Sequence, residues 1–262
     1  MKIHPTAIID PSAQIGADVE IGPYSIIGPA VVIGEKSVIQ SHVVLEQSVT
    51  MGAGNLVGHG TVIGSAPQDA SFDPKTKSGV VIGNGNRIRE HCTIHRGTGE
   101  GSLTTLGDRN FLLAGAHVGH DAKVGNDVVM ANDSLLGGHV QIGDGAFLGG
   151  GSMFHQHVRV GRLALAQGRT TRSVPPFVTA VANFAIGINS VGLRRTGLSA
   201  AERTEIKRAF KLLYRSGLNT KQAVEKAAEM KIELPARELF DFVASPGKRG
   251  FVSYRSGLES DE

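Results

Sequence analysis

The sequence predicts a β-class fold, a parallel β-helix of six-residue repeats over residues 1–183, followed by a small α-helical domain over residues 184–262. Three observations predict it. An aliphatic residue recurs at every sixth position, the recurrence breaks at two places only before residue 166, and a helical apolar period replaces it near residue 200.

The ladder runs through Ile3, Ile9, Ile15, Ile21, Ile27, Ile33, Ile39, Leu45, Met51, Val57 and Ile63. A period of six suits neither a helix nor a meander. It suits short strands joined by tight corners, one aliphatic per side facing inward. Glycine often follows the aliphatic, as in Ile15-Gly16 and Ile33-Gly34, and is read as the residue at which the backbone turns. The ladder stops after Ser65, resumes at Ile82, Ile88 and Ile94, stops again, and then runs from Leu106 to Ala166. The gaps, 65–80 and 97–104, are predicted to be loops thrown out of the coil, and loops on a rigid scaffold are where function concentrates.

After Val174-Pro175-Pro176 the hexad ends. Ser199-Ala200-Ala201-Glu202 is a capping-box pattern, and Ile206, Ala209, Phe210 and Leu213 fall on one face of the helix it opens. Asn219 starts a second helix, Pro235 suits the first turn of a third, and the tail from Ser245 reads as polar and loosely ordered. This domain would cover the open edge of the last coil.

The 35 glycines alternate with Ile and Val, which argues for packing rather than disorder. The net charge of +3 gives no case for nucleic acid. Cys92, the single cysteine, excludes an intrachain disulfide, suits a reducing compartment and reads as core. No apolar run approaches the ~20 residues of a membrane span, and the N-terminus has no signal-peptide core. A soluble cytoplasmic protein without stable membrane insertion is expected.

The hexads resemble those of the hexapeptide-repeat acyltransferases. That resemblance implies a left-handed coil of three hexads per turn, so that residues eighteen apart stack. Asp121, His139 and His157 then form one column, and His120, Gly138 and Gln156 its neighbour. Such histidines could be solvated corners, subunit contacts, metal ligands or a catalytic group. The three-histidine spacing of the carbonic anhydrases on this fold is not found.

Longer segments narrow the resemblance. Pro67-Gln68-Asp69, Thr93-Ile94-His95-Arg96-Gly97-Thr98, Ala116-His117-Val118-Gly119-His120-Asp121, Leu136-Gly137-Gly138-His139, His155-Gln156 and Val191-Gly192-Leu193-Arg194-Arg195 are similar, in register, to the UDP-N-acetylglucosamine acyltransferases that begin lipid A synthesis. The likeness extends through the helical domain. A sister family with an extra N-terminal domain is disfavoured, because the hexads start at Ile3.

The resemblance implies transfer of a 3-hydroxyacyl group from acyl carrier protein, carried on phosphopantetheine, to the 3-hydroxyl of a UDP-sugar. It implies His120 as general base, Asp121 as its orienting carboxylate and the Gly138 backbone as oxyanion donor. Gln68, Asp69, His117, His139, His155 and Gln156 would contact the sugar, and Asn189 and Arg195 the nucleotide. No metal or further cofactor is implied, and the assembly would be a homotrimer with sites between subunits. On a straight strand His120 and Asp121 would face opposite ways, so the pair requires a corner.

Three positions depart from the family pattern: Ser71 stands where a lysine is usual, with Lys75 or Lys77 as substitutes, Val191 for a glutamate and Thr196 for an arginine. Amide formation on a 3-amino sugar therefore stays open, as does the acyl length read near Gly168. Rival readings are a CoA-dependent acetyltransferase, a zinc hydratase and a β-helical scaffold; a scaffold would carry threonine ladders, which are absent.

Overall fold

The structure is a computed structural model that describes residues 1–245 and 247–255. Each hexad forms a strand of two residues or a few more, and the ladder residue is its inward member. Ile27, Ile33, Ile39 and Leu45 are all buried. Strands pair in parallel with those one coil away, Lys2 with Glu20 and Ile8 with Ile26, so three faces arise, opened by Lys2–Ile3, Ile8–Ile9 and Gln14–Ile15. The three columns of aliphatic side chains fill the prism between them.

The corners turn by a different device from the one the glycines suggest. The left-handed residue lies three positions after the ladder aliphatic and is usually not glycine: Asp18, Lys36, Asp121 and His139 have φ of 56°, 57°, 58° and 58°. Gly16, directly after Ile15, has an ordinary φ, and its role is close approach. A Cβ there would lie 2.7 Å from the Glu35 backbone nitrogen of the next coil. Coils about 4.8 Å apart leave no room for it. Elsewhere the coils are joined by side chains. Buried Asn86 donates to Asn55 Oδ1 at 2.9 Å, Asn110 donates to Asn86 Oδ1 at 3.0 Å, and the Val128 N–H ends the ladder.

Both predicted loops are present. Leu56 pairs with Arg87, thirty-one residues on, and Arg87 with Phe111, twenty-four on, where ordinary coils advance by eighteen. The extra residues leave between Val62–Ser65 and Gly79–Ile82, and between Thr93–His95 and Leu103–Leu106. Each exit is at a corner between the second and third faces.

The strand Val178–Val181, parallel to Leu165–Gln167, is followed by an antiparallel partner, Phe184–Ile188. Four helices come next: α1 (Ser190–Arg195), α2 (Ala200–Arg215), α3 (Thr220–Glu229) and α4 (Glu238–Ala244). The capping boxes at Ser199 and Asn219 both form. Helix α4 begins three residues beyond Pro235 rather than at it. Two arginines of the last coil fasten α4: Arg162 bonds Glu238 at 2.9 and 3.0 Å, and Arg159 lies 4.4 Å over the Phe242 ring.

The tail departs from expectation. Ser253–Tyr254 adds a parallel strand to the first-face sheet, and Val252 is fully buried. Phe251 and Tyr254 pack against Tyr214 of α2. This short apolar cluster outweighs the polar average of the tail. Pro246 and residues 256–262 lie outside the described residues.

Candidate active site

The strand His117–Val118 on the second face and Lys123–Val124 on the third are joined by the corner carrying His120 and Asp121. The left-handed conformation of Asp121 brings the two side chains together, and His120 Nδ1 lies 2.9 Å from Asp121 Oδ2. The same carboxylate oxygen accepts from the Thr98 N–H at 3.1 Å and the Thr98 hydroxyl at 2.7 Å, both supplied by the second loop. Burial pushes the Asp121 pKa up, but hydrogen bonds from Thr98, His120 and Ser102 outweigh it and hold the group below its ordinary value. An ionised Asp121 accepts from Nδ1–H, so neutral His120 presents its lone pair at Nε2.

Gly138, one coil above, carries no side chain because a Cβ would run into the His120 ring. Its N–H donates to no group among the described residues. A free donor therefore borders the basic nitrogen.

His139 meets His120 edge-on at 5.1 Å between ring centroids and stacks on His157 at 4.6 Å. Its Nε2 is 3.9 Å from Asp121 Oδ2. His120, Asp121 and His139 offer atoms within 4.8 Å of one another, the spacing of a possible cation site. Asp121 Oδ2 is already engaged by three donors there, and His120 Nδ1 by the carboxylate.

His117 lies below the pair, 2.7 Å from the Thr93 hydroxyl and edge-on to buried His95 at 4.8 Å. Burial first, then His95 and His120, push its pKa down to about 4, so it is neutral. Burial likewise lowers His95. His95 was legible only as part of a motif, with no sign that it would face inward toward His117.

The first loop hangs over the same corner. Asp69 and Gln68 are exposed on it. Asp69 accepts from Ser71 N–H at 2.9 Å and Ser71 Oγ at 2.7 Å, and these bonds lower its pKa. Sequence reasoning missed what holds the loop. Buried Arg96 donates to the Thr76 carbonyl at 2.6 Å and the Pro74 carbonyl at 3.1 Å, with its guanidinium 4.9 Å over the Phe72 ring.

His155 and Gln156 occupy the same edge one coil above His139. Beside them a cleft of about 870 Å³ is lined by Asp121, His139, His157, Lys123, Arg159 and Lys248. Lys248 and Arg249 come from the tail and touch His157 and His155, contacts that no spacing foretold.

Asn189 and Arg195 are not brought to this corner. Asn189 caps α1, accepting from the Gly192 N–H at 2.9 Å, and donates to the Leu163 carbonyl at 2.9 Å. Leu163 belongs to a corner between the third and first faces, so α1 and its exposed Arg195 lie along another edge. Cys92 is buried, donates to the Leu113 carbonyl and has its pKa pushed up to about 12 by burial, which makes it an inert core thiol.

Comparisons with known proteins identify the family and the fold. The family model described as Udp N-acetylglucosamine O-acyltransferase, domain 2, matches residues 174–252, and that of the bacterial transferase hexapeptide (six repeats) matches residues 1–34. An acyl-[acyl-carrier-protein]–UDP-N-acetylglucosamine O-acyltransferase of Burkholderia orbicola is 43% identical over 197 residues, 71% of this chain and 74% of that protein. Among solved structures, the UDP-N-acetylglucosamine acyltransferase of Francisella novicida superposes with a TM-score of 0.92 at 35% identity, covering 97% of this chain and 95% of that one. That of Campylobacter jejuni gives 0.91 at 35% identity, covering 97% and 100%. The expected fold class, a left-handed parallel β-helix with a helical C-terminal domain, is the one these structures share. The chain belongs to the acyl-[acyl-carrier-protein]–UDP-N-acetylglucosamine O-acyltransferase family.

Proposed function

We propose that the chain transfers a 3-hydroxyacyl group from acyl carrier protein to the 3-hydroxyl of UDP-N-acetylglucosamine, the first step of lipid A synthesis, with His120 as general base. The observation that carries the reading is the His120–Asp121 pair at 2.9 Å, which leaves Nε2 basic beside the free Gly138 N–H.

A sugar hydroxyl is a poor nucleophile at neutral pH. His120 Nε2 takes its proton as the oxygen attacks the thioester carbonyl, and Asp121 stays ionised beside the imidazolium. The Gly138 N–H donates to the oxyanion of the tetrahedral intermediate. Collapse breaks the C–S bond, and the departing phosphopantetheine thiolate takes the proton from His120. Gln68, Asp69, His117, His139, His155 and Gln156 hold the sugar. Ser71 orients Asp69, which suits a loop that has lost the family lysine.

The finer reading is a homotrimer with shared sites, Arg195 of α1 meeting the nucleotide of a neighbour's site and Asn189 holding α1 in place. Outward side chains of the second face support it: Ile8 and Ile26 toward one end and Leu135 and Met153 toward the other are 65%, 42%, 37% and 47% exposed, apolar pairs suited to burial against another subunit, with Thr93 and His117 between them. The third face is more polar, presenting Gln14, Thr50, Thr105, Lys123, Gln141 and Arg159 beside Val32 and Val81. The reading sets the reaction in the cytoplasm, where carrier protein and nucleotide sugars meet; no described helix is long and apolar enough to cross a membrane.

The test is His120→Ala. It should fold with an unchanged melting temperature and lose about 10²–10⁴ in transfer rate, the usual worth of a positioned base. A wild-type rate from hydroxyacyl carrier protein would overturn the assignment. Running the wild type against the 3-amino sugar as well sorts ester from amide formation.

A further inference from the structure

We propose that Arg249 is a positioning residue that fixes the tautomer of His155, so that Nε2–H is offered to the acceptor sugar. The proposal rests on the reading of His155 as a sugar contact. Arg249 Nη2 lies 2.7 Å from His155 Nδ1, and Arg249 Nε donates to the Gln156 carbonyl at 3.0 Å. A guanidinium has only donors and stays charged at any working pH. Nδ1 must therefore accept, and the single proton of neutral imidazole sits on Nε2.

One contact points the other way. His155 Nδ1 is 3.3 Å from the Gln156 carbonyl, which would suit a protonated Nδ1. The shorter charge-assisted bond decides: a guanidinium N–H at 2.7 Å leaves no room for a proton on Nδ1, and the carbonyl contact, at 3.3 Å, is the longer. The arginine is itself held. The Ser173 N–H donates to the Gly250 carbonyl at 3.0 Å and the Val252 N–H to the Ser173 carbonyl at 2.9 Å, which clamps the tail to the last coil. His155 is exposed, and its Nε2 has no partner among the described residues. A sugar hydroxyl or phosphate oxygen would thus meet a donor already aimed, with little ordering left to do on binding.

The experiment uses full-length protein carrying ¹⁵N-histidine. In the wild type the His155 Nδ1 signal should be that of an unprotonated nitrogen and Nε2 that of a protonated one. Arg249→Met should mix the two tautomers and raise KM for the UDP-sugar about five- to tenfold, the worth of one lost hydrogen bond, with kcat little changed. Arg249→Lys should restore part of both, and Lys248→Ala should leave the His155 signals in place. A protonated Nδ1 in the wild type, or Arg249→Met that alters neither signal nor KM in a protein of unchanged melting temperature, would overturn the proposal. If His155→Ala also leaves KM unchanged, the sugar contact itself fails. If it raises KM while Arg249→Met does not, the contact stands and the arginine's role falls.

Discussion

His117 holds no charge, and that has a cost on the acid side of neutrality. Its pKa is about 4, set by burial and then by His95 and His120, against an ordinary value near 6.5 in the unfolded chain. Between those values the unfolded state binds more protons, so stability rises with pH. The contribution is intact above about 6.5 and is lost as pH falls toward 4. Melting curves between pH 4 and 7 should show the midpoint dropping on the acid side, and His117→Gln should flatten part of the drop. The flattening is partial because His95 is lowered in the same direction. Parallel curves for variant and wild type would mean that His117 takes its proton in the folded protein as readily as out of it.

Among the elements, the first loop carries Gln68 and Asp69, the sugar contacts of the proposed reading. Arg96 grips it through the carbonyls of Pro74 and Thr76 and through the Phe72 ring, with no carboxylate partner among the described residues. Arg96→Ala should free the loop: limited proteolysis should cut within residues 66–78 several times faster, and KM for the UDP-sugar should rise more than kcat falls. Unchanged proteolysis would show that the loop holds itself. The loop's existence was legible, since a gap in a strict six-residue ladder can only be extra chain. Its fastening was not, because Arg96 differs from a surface arginine only in what folds over it. The same divide runs through the rest. Ser199 and Asn219 announced their helices because capping is a contact between residues three apart. The histidine columns were legible once the coil length was given, since stacking is a matter of counting. The role of Gly16 was misread because close approach between coils and a left-handed turn both favour glycine, and only the backbone angles separate them. Arg249 and Lys248 escaped because nothing in a polar tail foretells which surface it will return to.

At the scale of the whole molecule, the prism spreads one site's expected residues over two edges. His120 lies between the second and third faces, while Asn189 docks on Leu163 between the third and first. In the proposed homotrimer, a site that needs both His120 and Arg195 would be built across a subunit boundary. Trimers reassembled from equal amounts of His120→Ala and Arg195→Ala chains should regain activity at about one quarter of their sites, those where an intact His120 faces an intact Arg195 from the next chain. Each variant alone stays impaired. No recovery on mixing, or an active monomer by mass in solution, would confine the site to one chain.

The tail's return also sets an order of assembly. Ordinary coils rest on a neighbour eighteen residues away and the two looped ones on a neighbour at most thirty-one away, so the prism can grow turn by turn with little loop closure at any step. The contact between Arg249 and His155 spans 94 residues and must wait until the helical domain lies between them. A chain caught partway through synthesis can already have its coils and its His120–Asp121 corner but lacks the arginine that meets His155. On the proposed role of Arg249, sugar recognition would be finished only at the end of folding, and stacked coils with an unfinished domain would compete poorly for the nucleotide sugar.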